Sequence, residues 1–171
     1  MRKLILFLVI TVTAVLAAGV ASATAGSIYA TGAGWVSFQP FTPKHYIHFD
    51  VSAHTGPSGD FGHLGFTVND PTFPLDVRTT LDCVNVFAAP LVNGDAWVSG
   101  TVTSVSPQPN AYGVMPGDRQ ETYLVDGGNP SATTPVDTFD PFLGEIAPCK
   151  TLGDFGSFPD VTQGNINIST G

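Results

Sequence analysis

The amino-acid sequence predicts an all-β fold: a single antiparallel β-sandwich or small barrel of about eight strands, after a cleaved N-terminal signal peptide. Three observations lead there. Short runs alternate apolar and polar residues with a period of two, and clusters of Gly, Pro, Asn and Asp separate them. Nineteen Gly and fourteen Pro beside only 12% charged residues argue against a helical bundle. Twelve Phe, four Tyr and two Trp supply enough apolar area to argue against disorder.

The chain opens with Met1-Arg2-Lys3, an apolar run from Leu4 to Val20, and Ala21-Ser22-Ala23. Two cations, a hydrophobic stretch and small residues form the tripartite pattern of a secretory signal, cut after Ala23 or alternatively after Ala25. The run is short for a membrane span, and its second half is rich in Ala and Thr. No Cys lies near the cut, which excludes a lipoprotein anchor. Domain 1–23 is therefore the signal peptide and 24–171 a secreted domain, extracellular or in the cell envelope. Removing Arg2 and Lys3 leaves Lys44, Arg78, Arg119 and Lys150 against fourteen Asp and Glu, a formal charge of −10. Such a surface repels phosphate backbones, so the sequence argues against nucleic-acid partners and against membrane insertion after cleavage.

The strands are read in order. The first spans Ile28 to Phe38. In residues 45–53, Ile47, Phe49, Val51 and Ala53 share one face, and Tyr46, His48, Asp50 and Ser52 the other. Thr55-Gly56-Pro57-Ser58-Gly59 turns the chain into Phe61 to Asn69, with Leu64, Phe66 and Val68 inward. Residues 75–87 place Val77, Thr79, Leu81 and Cys83 on one side. Asn93-Gly94 is a hairpin signal leading into Ala96 to Ser104, where Ala96, Val98, Gly100 and Val102 alternate with Trp97, Ser99 and Thr101. Pro107 to Pro116 reads as an exposed loop. Arg119 to Val125 is a further strand, and Thr138 to Ile146 another that Pro141 confines to an edge. A Gly-, Asp- and Phe-rich loop, Leu152 to Gln163, precedes the last alternating run, Gly164 to Ser169.

Cys83 and Cys149 are the only cysteines, and both remain in the mature chain. In an oxidising compartment a lone pair forms a disulfide; the alternative is two buried thiols. No CxxC spacing supports a redox-active pair.

Several short motifs follow one another along the chain: Gly32-Ala33-Gly34-Trp35, His48-Phe49-Asp50-Val51, Gly62-His63-Leu64-Gly65-Phe66, Asp82-Cys83-Val84-Asn85-Val86 and Ala96-Trp97-Val98-Ser99-Gly100. Val125-Asp126-Gly127-Gly128, Asp137-Thr138-Phe139 and Gly164-Asn165-Ile166 continue the series. In this order they resemble a group of small secreted bacterial all-β domains of unknown function. The similarity spans most of residues 32–168. The Pro-rich insertion and the residues between Gly128 and Asp137 depart from the group's pattern. The resemblance implies a β fold and secretion from a bacterium, and it carries no catalytic residues.

Candidate chemistry is sparse. Asp126, Asp137 and Asp140 flank a Gly- and Pro-rich loop; Asp126 and Asp137 cap or close turns through backbone hydrogen bonds or, alternatively, the three ligate Ca²⁺. No EF-hand or nonapeptide spacing supports the second reading. His45, His48, His54 and His63 fall close together, and a hairpin would bring His48 and His63 near Asp50 as Zn²⁺ or Cu²⁺ ligands. Outward His on a solvated strand is the ordinary alternative. No GxSxG elbow or other nucleophile context points to a hydrolase, which stands as a third alternative. Trp35, Trp97, Tyr46, Tyr112 and Tyr123 form a candidate carbohydrate or peptide platform, with core the favoured reading of Trp97. Asn167-Ile168-Ser169 is a glycosylation sequon only in a eukaryotic host. The leading expectation is a non-catalytic secreted or envelope-associated binding or structural module, with a protein or carbohydrate ligand and no cofactor.

Overall fold

A computed structural model describes residues 28–37, 46–87, 94–128, 136–153 and 159–170. The expected signal peptide (1–23) and His45 lie outside the described residues. Eight strands follow one another: β1 (Ile28–Ser37), β2 (Tyr46–Gly56), β3 (Gly59–Val68), β4 (Leu75–Phe87), β5 (Gly94–Ser106), β6 (Arg119–Asp126), β7 (Thr138–Leu143) and β8 (Val161–Thr170). Strands adjacent in sequence pair antiparallel from β1 through β7, and β8 returns to pair with β1. The sheet thus curls into a nearly closed up-and-down barrel, with β7 and β8 at the seam. Of the two architectures the alternation predicts, the barrel is the one formed.

The alternating strands deliver their apolar residues to one interior. Phe49, Val51, Leu64, Phe66, Val77, Val98, Leu124 and Ile166 are buried there, and Phe49 stacks on Phe139 with ring centroids 4.1 Å apart. The Pro-rich loop contributes as well. Asn110 and Gln108 donate side-chain N–H groups to the carbonyl of Val114 at 2.7 and 2.9 Å, and Val114 is buried in the core.

One expected face is corrected. Val77, Thr79 and Leu81 point inward, but Cys83 does not join them. Pairing steps from Leu81↔Gly100 to Cys83↔Ser99, so Asp82 is an extra residue in β4. This bulge reverses the phase of the strand: Val84 faces the core and Cys83 the outside.

That reversal serves a second apolar cluster on the outer face. Trp97, Tyr123, Val125 and Cys149 are buried there, packed against Cys83, Phe87, Phe142 and Leu152. Residues 144–153 cross this face as a strap containing a single 3₁₀ turn, Cys149–Thr151. Cys83 and Cys149 are joined, with sulfurs 2.14 Å apart. Asn85 donates to the carbonyls of Cys149 and Leu152, and Trp97 Nε1 to that of Gly153 at 2.8 Å. Lys150 contacts Asp60 at 2.7 Å and donates to the Val84 carbonyl. Burial pushes the Asp60 carboxyl up, but Lys150, the Val84 amide and the Thr55 hydroxyl outweigh it and hold the group below its usual range. Linking residues 66 apart contributes roughly 4 kcal/mol in the chain-entropy account.

The seam is built differently from the other strand pairs. Backbone contact between β7 and β8 is brief: Val161 N donates to Asp137 O at 2.8 Å, and Thr138 bridges Asp160. Beyond it, β8 runs past the end of β6, where two aspartates receive its amides. Asp137 accepts from Ile166 N at 2.6 Å and Gly127 N at 2.9 Å. Asp126 accepts from Ile168 N at 2.9 Å and Gly128 N at 2.8 Å. Both carboxylates are buried. Burial raises the pKa of Asp137, its two amide donors lower it, and the charge of Asp126 raises it again.

Asp137→Ala strands the amides of Ile166 and Gly127 away from water. We expect it to destabilise the domain by about 2–4 kcal/mol in urea titrations. A loss below about 0.5 kcal/mol would show that these bonds do not hold the seam.

Candidate functional site

β8, β1, β2 and β3 present one continuous outer face. Inward Ala30, Val36, Phe49, Val51, Leu64 and Ile166 fix which residues point out, because successive side chains alternate. The register then sets rows across the face: Gln163–Trp35–His48–Thr67, Asn165–Ala33–Asp50–Gly65, Asn167–Thr31–Ser52–His63 and Ser169–Tyr29–His54–Phe61. The centre is small and polar, and the two ends carry rings. At one end Trp35 packs on His48 with centroids 4.7 Å apart. At the other, His54 lies 6.3 Å from Tyr29 and 5.5 Å from Phe61, which is 56% exposed.

Trp35 also lines a depression. Pairing between β1 and β8 shifts between Trp35 and Val36. Just before this irregularity the two strands approach closely at Gly34 and Gly164: a Cβ on Gly164, whose φ is +116°, would stand 2.2 Å from the Ala33 carbonyl. The depression measures about 480 Å³ and is lined by Trp35, Ser37, Thr162 and Gln163. An indole beside two hydroxyls and an amide offers an apolar face and hydrogen-bonding groups of both kinds.

The charges on this face are paired among themselves. Arg78 donates to Asp50 at 2.8 Å and lies 3.3 Å from Asp76, which accepts from Thr67 at 2.7 Å. Gly65 makes room for this pair, since a Cβ there would meet Arg78 Nη1 at 2.1 Å. Burial lowers the pKa of Arg78, but Asp76 and Asp50 outweigh it and raise the value.

The expected transition-metal residues are only partly assembled. His63 lies 3.9 Å from Asp50, which Arg78 already engages, while His48 turns to Trp35. The expected Ca²⁺ residues do not converge either. Asp126 and Asp137 point their oxygens at amides of the seam, whereas Asp140 sits opposite Tyr123 on the outer side of β7. Among the described residues no group of three or more His, Cys, Asp or Glu is placed to hold a metal ion.

Of the expected aromatic platform, Trp97 and Tyr123 are core of the second cluster, and Tyr123 donates to Asp95 at 2.6 Å. Tyr112 stands at the loop end of the barrel, 44% exposed, and the side chain of Tyr46 lies outside the described residues. Trp35 alone of the five lies on the open face. Tyr29, His54, Phe61 and Gln163 extend it, and the sequence signal for them is their place on the outward phase of the alternation.

The carboxyls with raised pKa are structural in position. Glu121 is fully buried under the strap; burial raises its pKa, against donors from Ile146 and Ala147. Burial pushes Asp140 up to about 6, and no described donor compensates. Neither opens to a substrate. No protein-family profile, curated protein or solved structure matches the chain.

Asp140 yields a pH prediction. Its folded pKa lies above its unfolded value, so the folded state holds the proton more tightly. The associated stability is present below about pH 4 and is lost as pH rises through about 6. The two-unit gap corresponds to at most about 3 kcal/mol. Asp140→Asn should therefore raise stability at pH 7 relative to the native chain and leave it little changed at pH 4. Equal melting differences at both pH values would contradict this.

Proposed function

We propose that the protein is a non-catalytic secreted module that binds a component of the cell envelope or its surroundings through the β8–β1–β2–β3 face. One observation carries this reading. The interior of the barrel is filled by side chains and its perturbed carboxyls are buried, which leaves the ring-flanked polar face as the surface equipped for recognition. The signal-peptide pattern and the resemblance to secreted bacterial β domains support the location.

Acid–base chemistry requires a titrating group that a substrate can touch. On this face His63 and Asp50 are solvated, and Asp50 is engaged by Arg78. A binding surface asks only for shape and hydrogen-bonding groups.

Cosedimentation of the mature chain, 24–171, with bacterial cell-wall fractions tests the proposal. Thr31→Arg with Asn167→Arg places bulk and charge on adjacent, register-paired positions at the centre of the face. It should lower retention about tenfold, the equivalent of 1.4 kcal/mol. Leu143→Arg, at an exposed position of β7 outside this face, should leave it unchanged. No retention of the native chain, or retention indifferent to the double substitution, would overturn the proposal.

A further inference from the structure

We infer that the depression at Trp35 is a sugar-ring subsite and that the ligand of this face is a neutral polysaccharide chain; this inference rests on the binding proposal above. The argument starts from the lining. A pyranose ring has one apolar C–H face and a rim of hydroxyls. It is recognised by an aromatic face beside short hydrogen-bonding side chains. Trp35, Ser37, Thr162 and Gln163 supply that set around a 480 Å³ depression. Ser37 donates and accepts, Gln163 does both through its amide, and Thr162, whose one proton is already committed, accepts. Thr162 is held in place by donating to the Trp35 carbonyl at 3.1 Å.

The surroundings extend the subsite into a track. Trp35 stands six positions along β1 from Tyr29, about 20 Å at strand rise. Between them lie Ala33, Thr31, Ser52, Asn165 and Asn167, small or amide-bearing side chains that leave a shallow floor. Tyr29, His54 and Phe61 close the far end with a second set of rings. Two ring clusters joined by a polar floor match a chain of linked sugars better than a single ring.

Charge selects the class. The chain carries a formal −8, and every charged side chain described on this face belongs to the Asp50–Arg78–Asp76 set. Uronic-acid and phosphate polymers would meet net repulsion, with no unengaged cation among the described residues of the face to receive them. A peptide strand would require an unpaired sheet edge; β1, β2 and β3 are paired on both edges, and the second edge of β8 turns into the seam, where the amides of Val161, Ile166 and Ile168 are taken.

Affinity electrophoresis through gels containing hydroxyethyl cellulose, mixed-linkage β-glucan or galactomannan, with alginate as the anionic comparison, reads the inference directly. At least one neutral polymer should retard the native mature chain, and alginate should not. Trp35→Ala should weaken retardation at least about tenfold. Because Trp35 is half-buried, Gln163→Arg provides a second variant: it fills the depression from an exposed position and should weaken retardation with an unchanged melting temperature. Retardation by alginate alone, by no neutral polymer, or with undiminished strength in both variants would overturn the inference. Cell-wall retention that Thr31→Arg with Asn167→Arg abolishes would, in that event, still uphold the binding module and exclude only its neutral glycan ligand.

Discussion

A meander of eight strands becomes a barrel only if the last strand finds partners for both of its edges. β8 pairs with β1 along one edge, but β7 is too short to serve the other. Two aspartates make up the difference, receiving the amides of Ile166 and Ile168. Those residues contribute their side chains to the core, so the bonds also fix where the last strand sits against Gly94 and the interior. An open sheet would expose a row of unpaired amides and the apolar face behind them. Everything else in the fold, including the continuity of the β8–β1–β2–β3 face, depends on β8 being held there.

The same logic of covering an edge or face recurs outside. Trp97 and Tyr123 stand on the outward phase of β5 and β6 and would be solvated on a bare barrel. The strap 144–153 buries them, tied down by the disulfide and by Asn85, Trp97 and Glu121. The fold therefore has an interior core and a lateral one. Its covered side is β4 through β7, and its open side is β8 through β3. This asymmetry is what singles out the open side as the recognition surface.

Much of the barrel was legible in the sequence. Period-two alternation in residues 46–53, 64–68 and 96–102 assigned the correct inward residues, because those stretches contain no bulge. Pro141 marked β7 as a strand with limited pairing, and it lies at the seam. Cys83 lies on the face opposite to the one alternation predicts because a single extra residue, Asp82, inverts everything after it, and nothing in residues 75–87 announces the bulge. Of the two sequence readings of Asp126 and Asp137, turn closure or Ca²⁺ ligation, the first captures the local bond from Gly128 to Asp126 and the loop-closing bond from Gly127 to Asp137. Their reach to β8 joins residues 42 and 29 apart and belongs to the closed topology, not to local spacing. The sequence singles out Trp35 on the open face but not what surrounds it or the rings at the far end, because Tyr29 and His54, or Trp35 and Gln163, are neighbours only through register.

The seam is best tested at its amides. Native-state hydrogen exchange of the mature domain, read residue by residue by NMR, should show Ile166 and Ile168 protected to the level of the core ladder amides, opening only with global unfolding. Fast exchange at both positions, beside a protected β1–β2 ladder, would contradict closure by Asp126 and Asp137 and would leave β8 as an open edge.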